Sequence, residues 1–152
     1  MPKIDLSTIT PRTGSGYPAP FAETMKGRVQ INLGDAGGLT QFGVKLCRLK
    51  PGAWSSQRHW HESEDEFVMV LEGEITMIEN EGETILRAGD CAAHKAGVPN
   101  GHHLVNRSSA EAEFLVVGTR AKAETAHYPD IDLKAVNDGA GFRYFHTDGQ
   151  PY

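Results

Sequence analysis

The sequence predicts an all-β domain, an antiparallel sandwich or barrel, and three observations predict it. Short segments with strand-like composition recur at near-regular spacing along the middle of the chain. Turn residues bound each of them: Glu72-Gly73 and Glu81-Gly82 read as hairpin turns, and Ala88-Gly89-Asp90 breaks the chain again. A content of 17 glycines with 39% hydrophobic residues suits a turn-rich β protein with a packed core.

The elements follow in order. Residues 1–28 carry Pro2, Pro11, Pro18 and Pro20 with Gly14 and Gly16 and show no periodicity, so they read as an extended arm wrapping the domain or a neighbouring subunit. Strands are expected over residues 28–33, 40–49, 55–61, 66–72, 74–79, 83–86, 91–94, 101–106 and 112–119. Gly34-Asp35-Ala36-Gly37-Gly38 lacks the spacing of a phosphate loop and reads as a plain loop. From Ala123 onward the chain changes character, and residues 121–152 read as a tail with one short strand at 142–146. With 152 residues the chain fits one domain, 1–152, divided into arm (1–28), barrel (29–120) and tail (121–152).

A net charge of −5 offers no basic surface, which argues against a nucleic-acid partner. No apolar run reaches the roughly 18 residues of a membrane span, and Met1-Pro2-Lys3-Ile4-Asp5 lacks the apolar core of a signal peptide. The expectation is a cytoplasmic protein with no membrane partner. Cys47 and Cys91 are then expected to stay reduced and packed. The Asn106-Arg107-Ser108 glycosylation pattern is idle without a secretory route.

The chemistry concentrates in His59-Trp60-His61-Glu62-Ser63-Glu64-Asp65-Glu66. Residues two apart on a strand share a face, so His59 and His61 project together while Trp60 points away into a contact between sheets or subunits. A polar turn follows, and Glu66, opening the next strand, can swing its carboxylate back toward the imidazoles. Two histidines and a carboxylate form a donor set for a divalent transition metal. Glu62, Glu64 and Asp65 read as a solvated face of that turn. His127 and His146 carry no motif, and Lys45, Gln41 and Tyr17 cannot be placed inside or outside the domain from sequence.

The pattern Gly52, His59, His61, Glu66, Gly73 resembles the first motif of the cupin superfamily, with one extra residue between Gly52 and His59. A second motif of that family is matched by Gly89-Asp90, Gly97 and His102-x-x-x-Asn106, although Lys95 stands where the family usually has proline and the interval from Gly97 to His102 is longer than usual. The resemblance implies a jelly-roll barrel (double-stranded β-helix) and a fourth ligand, His102 or His103. The final His-x-x-x-Asn spacing favours His102, which leaves His103 facing outward and Asn106 as a strand-end hydrogen bonder. His94 stands where such chains usually have an aromatic, lining a pocket or packed. Some cupins carry a helix-turn-helix before the barrel, which residues 1–30 cannot form.

Thr13-Gly14-Ser15-Gly16-Tyr17-Pro18, Leu39-Thr40-Gln41-Phe42-Gly43-Val44 and Tyr128-Pro129-Asp130 are similar to a bacterial group of small single-domain cupins, some with a name suggesting sugar-phosphate isomerisation. The resemblance implies one divalent metal per chain (Zn, Fe, Ni or Mn) held by His59, His61, Glu66 and His102. It implies an enzyme acting on a small polar substrate, isomerase-like on a sugar or sugar phosphate. A metal-dependent dioxygenase and a non-catalytic small-molecule binding or sensing domain are the alternatives. A homodimer is expected, because one small barrel would not bury so long an arm and tail.

Overall fold

A computed structural model describes residues 3–152, so Met1 and Pro2 at the start of the arm lie outside the described residues. Thirteen strands are described: β1 (Arg12–Thr13), β2 (Arg28–Asn32), β3 (Phe42–Leu49), β4 (Trp60–His61), β5 (Glu66–Glu72), β6 (Glu74–Glu79), β7 (Gly82–Arg87), β8 (Cys91–His94), β9 (His103–Val105), β10 (Ala112–Thr119), β11 (Glu124–Tyr128), β12 (Leu133–Asn137) and β13 (Phe142–Phe145). They form an antiparallel jelly roll. A six-stranded sheet runs β1-β2-β3-β10-β5-β8, and it faces a layer made of a three-stranded sheet, β7-β6-β9, and a four-stranded sheet, β13-β12-β11-β4. Residues 54–61 join the two smaller sheets. Trp54 bridges Val105 and His59 bridges His102 on one side, and on the other Trp60 and His61 of β4 pair with His127 and Ala126 of β11.

The core between the layers holds Leu49 from β3, Val68 and Val70 from β5, Ile75 from β6, Leu86 from β7, Leu104 from β9 and Phe114 from β10. Each strand contributes alternate residues, as a pleated strand with one buried face must. Burial of such aliphatic and aromatic side chains contributes about 1.5–3 kcal/mol each and fixes which face of each strand points inward. Among the described residues no helix is long and apolar enough to cross a membrane.

Several sequence expectations change. Glu72-Gly73 is not a hairpin turn: β5 and β6 belong to different sheets, and the chain crosses between layers there. Gly73 takes φ 79° with its absent Cβ only 3.0 Å from the Glu111 carbonyl, so this corner excludes a side chain. Glu81-Gly82 does lie in a hairpin, with Glu79 opposite Gly82. The strand expected over 55–61 is reduced to β4, because residues 54–59 touch their neighbours only through single bridges. The loop expected at 34–38 begins instead inside a short helix, α1 (Leu33–Ala36).

The tail holds three strands rather than one. Ala126, Tyr128, Leu133 and Ala135 form a second core against Tyr17 and Phe21 of the arm. Arm and tail therefore bury each other within one chain, which removes the reason the sequence offered for a dimer. Both cysteines are free, Cys47 buried and Cys91 exposed, so Cys91 is not packed as expected.

Candidate metal centre

His59, at its bridge to His102, and His61, on β4, face each other at the mouth of the barrel. Their Nε2 atoms are 3.1 Å apart and their rings cross nearly at right angles, at 86°. The other ring nitrogens fix the tautomers. His59 Nδ1 lies 2.9 Å from the Gln57 carbonyl, which can only accept, so Nδ1 carries the proton and Nε2 presents a lone pair. His61 Nδ1 lies 3.3 Å from Glu124 Oε1, a carboxylate that also accepts the Glu62 and Ser63 amides at 2.9 and 2.8 Å. It too donates from Nδ1, and its Nε2 is left bare.

Two lone pairs 3.1 Å apart cannot hydrogen-bond to each other. They fit a shared cation. Nitrogens each about 2.0–2.1 Å from one ion and on adjacent positions of a tetrahedron or octahedron stand about 2.8–3.4 Å apart. Donor atoms of His59, His61 and Glu66 all lie within 4.8 Å of one another.

His102 Nε2 is 3.4 Å from Glu66 Oε1, buried, and without a hydrogen bond of acceptable geometry. An orphaned imidazole nitrogen aimed at a carboxylate beside two bare imidazoles suits a further donor to the same ion. His103, the other candidate, is on the opposite side of β9, stacked on Trp54 with ring centres 4.6 Å apart. It is buried rather than outward-facing, because Trp54 covers it. Asn106 is fully buried, donates to the Leu49 and Ala110 carbonyls and accepts from Ser108, the strand-end role expected of it.

The surroundings set the charge states. Burial, followed by the fields of His61 and His102, lowers the His59 pKa to about 3, so its imidazole is neutral near pH 7. Burial pushes Glu66 up, but the close approach of His102 and the fields of His59 and His61 outweigh it and hold the carboxyl well below its ordinary range. His94, opposite Glu66 in the β5–β8 register, stacks flat on His102 with centres 3.5 Å apart. Burial lowers its pKa to about 4, so it is a neutral lining group.

The donors lie in a cavity of about 490 Å³, within the range of small-molecule sites. Tyr17, Lys45 and Glu64 line it and Gln41 does not. Burial raises Tyr17 to about 12, leaving its hydroxyl a proton donor. Tyr128 also lines the cavity and stacks on His59 at 5.6 Å. Glu64 departs from the solvated-face reading: it is half-buried, one oxygen accepts the Ala121 amide at 2.9 Å, and burial raises its pKa. Glu62 and Asp65 are exposed as expected. Trp60 points away from His59 and His61 and stacks on His127 at 4.4 Å.

Glu124 escaped the sequence reading. It lies in the tail without a motif, and only the β4–β11 pairing brings it to His61. Its one signal is a carboxylate in an otherwise apolar alternation, Glu124, Ala126, Tyr128, the buried face of β11.

Comparison with known proteins places the fold in a family. Residues 45–118 match the cupin domain family. A cupin-superfamily sugar phosphate isomerase from Silicibacter pomeroyi is 53% identical over 99% of this chain and 96% of its own, with a TM-score of 0.95. A protein from Acidithiobacillus ferrooxidans with a provisional sugar-phosphate-isomerase name is 26% identical over 82% of this chain and 80% of its own, TM-score 0.74. A predicted oxalate decarboxylase from Thermotoga maritima is 25% identical over 78% of this chain and 99% of its own, TM-score 0.63. No curated protein matches. The chain belongs to the cupin superfamily.

Proposed function

We propose that the protein is a metal-dependent cupin enzyme that isomerises a small sugar or sugar phosphate, with His59, His61, Glu66 and His102 holding one divalent transition-metal ion. The observation that carries the reading is the pair of bare Nε2 atoms 3.1 Å apart, each with its Nδ1 proton engaged elsewhere. That pair opens into a cavity that also holds groups able to move or donate a proton. When bound, a divalent ion supplies a Lewis acid that polarises a coordinated substrate oxygen.

The rest is work for this chain's own residues. Isomerisation moves a hydrogen between the carbon of a carbonyl and its neighbour, so it needs a base at the cavity wall. Glu64 meets that need, with one oxygen fixed by the Ala121 amide and a pKa raised toward the operating range. Tyr17, protonated to about pH 12, donates a hydrogen bond to a substrate hydroxyl. The name borne by the Silicibacter pomeroyi relative supports the substrate class. A cavity lined only by apolar groups would have favoured a binding or sensing domain, and the carboxylate, lysine and tyrosine in the lining favour the enzyme.

The test is a screen of aldose and ketose phosphates in D2O, followed by NMR. Deuterium entering the carbon next to the carbonyl, abolished by Glu64→Gln, is the expected result. Oxygen consumption without deuterium exchange would transfer the site to dioxygenase chemistry, and binding with neither would leave a sensing domain. The protein is further proposed to act in the cytoplasm as a homodimer, now on the strength of Phe67 and Leu71 exposed on the outer face of β5. A monomeric mass by light scattering at micromolar concentration would defeat the dimer.

A further inference from the structure

Resting on the four-ligand reading above, we infer that His94 is a positioning residue for the metal centre: its imidazole face holds the ring of His102, and holds it harder once His102 carries an ion. The two rings lie with centres 3.5 Å apart and planes within 3° of parallel. Aromatic pairs ordinarily avoid that face-to-face arrangement, because two like ring quadrupoles repel, and settle offset or edge-on. The repulsion turns to attraction once one ring is made electron-poor. His102 becomes such a ring when its Nε2 binds a cation, and the electron-rich face of His94 then lies over partial positive charge.

His102 is the proposed ligand most in need of such support. His59 Nδ1 is fixed by the Gln57 carbonyl at 2.9 Å, and His61 Nδ1 meets the Glu124 carboxylate at 3.3 Å. His102 Nδ1 lies 3.5 Å from the Asn100 carbonyl, beyond the ordinary range of a hydrogen bond. Among the described residues no carboxylate meets that nitrogen, so the plane of His102 is set by the ring stacked on it.

His94 supplies a face and little else. It ends β8 opposite Glu66, and its side chain is 9% exposed. Neither of its nitrogens makes a hydrogen bond among the described residues. Nε2 is buried without a partner, and Nδ1 stands 3.6 Å from Glu79 Oε1, too far to donate. That carboxylate, itself held by the Asn100 amide at 3.0 Å, adds negative field beside the ring.

Nor is His94 a fifth ligand. A histidine binds an ion in the plane of its own ring, and two parallel planes stacked face to face cannot share an ion about 2.0–2.1 Å from each nitrogen.

The experiment measures cobalt and zinc affinity by competition with a chromophoric chelator, the visible spectrum of the cobalt form, and thermal melts of metal-free and metal-loaded protein. Proteins are the wild type, His94→Leu, His94→Phe and His102→Ala. Leucine fills the space without a ring face, and phenylalanine restores the face without the nitrogens. His94→Leu is expected to lose about 10-fold or more in affinity, the scale of a group that orients a ligand. Its cobalt spectrum shifts, while the metal-free protein melts near the wild type. His94→Phe is expected to recover most of the affinity and the wild-type spectrum. Wild-type affinity and spectrum in His94→Leu, equal losses in the leucine and phenylalanine variants, or an equal fall in the His94→Leu melting temperature with and without metal overturns the inference. The reading of the centre fails differently. A wild type that takes up no metal, or His102→Ala binding as tightly as the wild type, removes His102 from the ligands and the inference with it, whereas a failure confined to the His94 variants leaves the four-ligand centre standing.

Discussion

Glu124→Gln tests how the proposed metal centre is aimed. The Glu124 carboxylate is 3% exposed and takes three donors, with the Glu62 amide and His61 Nδ1 on Oε1 and the Ser63 amide on Oε2. Glutamine has the same shape but one acceptor oxygen. If that oxygen sits in the Oε1 position, the Ser63 amide faces an NH2 group, and a buried donor is stranded at about 1–3 kcal/mol. If it turns to Ser63, the NH2 faces the Glu62 amide and His61 Nδ1. His61 must then accept, which moves its own proton onto Nε2, the atom that faces His59. Either way stability falls by about 1–3 kcal/mol, or roughly 2–4 °C in Tm per kcal/mol for a chain of this size. Replacing a carboxylate that orients a ligating histidine lowers metal affinity about 10- to 100-fold. Competition against a chromophoric chelator and a thermal melt read the two effects separately. Metal affinity within twofold of wild type together with an unchanged Tm in the Glu124→Gln protein would refute the argument that Glu124 holds His61 in place.

Further outcomes follow from the same contacts. Asn106→Ala strands the Leu49 and Ala110 carbonyls and the Ser108 amide inside the fold, and it should cost about 3 kcal/mol or more in chemical denaturation. A thiol reagent at pH 8 should modify exposed Cys91 quickly, while Cys47, buried and with its pKa raised to about 11, reacts only on unfolding. Fast modification of both thiols would contradict the burial of β3. Asp130 is held below its ordinary pKa by its Arg58 hydrogen bonds, so the unfolded chain binds more protons than the folded one. The stability this pair supplies is therefore full above the ordinary aspartate range and lost as pH falls through the lowered value. Since Asp130 is 55% exposed the loss should be below about 1 kcal/mol, and Asp130→Asn should remove that part of the acid limb.

What could be read from the sequence was local. His59, His61 and Glu66 lie within eight positions, and strand alternation with one polar turn suffices to bring them together. The preference for His102 over His103 that we propose rests on the bridge of His59 to His102, a pairing between distant segments that no local pattern encodes. Glu124 reaches His61, and Lys45 the cavity wall, only through sheet registers, β11 against β4 and β3 against β10. The tail strands escaped because their inward positions are filled by Glu124, Ala126 and Ala135, which lack the β-branched bulk that marks a strand. Glu64 was misread for a related reason: a charged turn is usually solvated, and this one folds over the cavity because Ala121 captures its carboxylate. The hairpin expected at Glu72-Gly73 failed because turn chemistry marks a corner without saying which sheet the next strand joins.

The central claim is that the two bare imidazoles, with Glu66 and His102, hold an ion. Elemental analysis of untagged protein beside the His59→Ala/His61→Ala double variant tests it most directly. The account predicts about one equivalent of zinc, iron, nickel or manganese per chain, lost in the double variant while circular dichroism stays that of a β protein. Native protein that remains metal-free after reconstitution, or an equal metal content in a folded double variant, would contradict it.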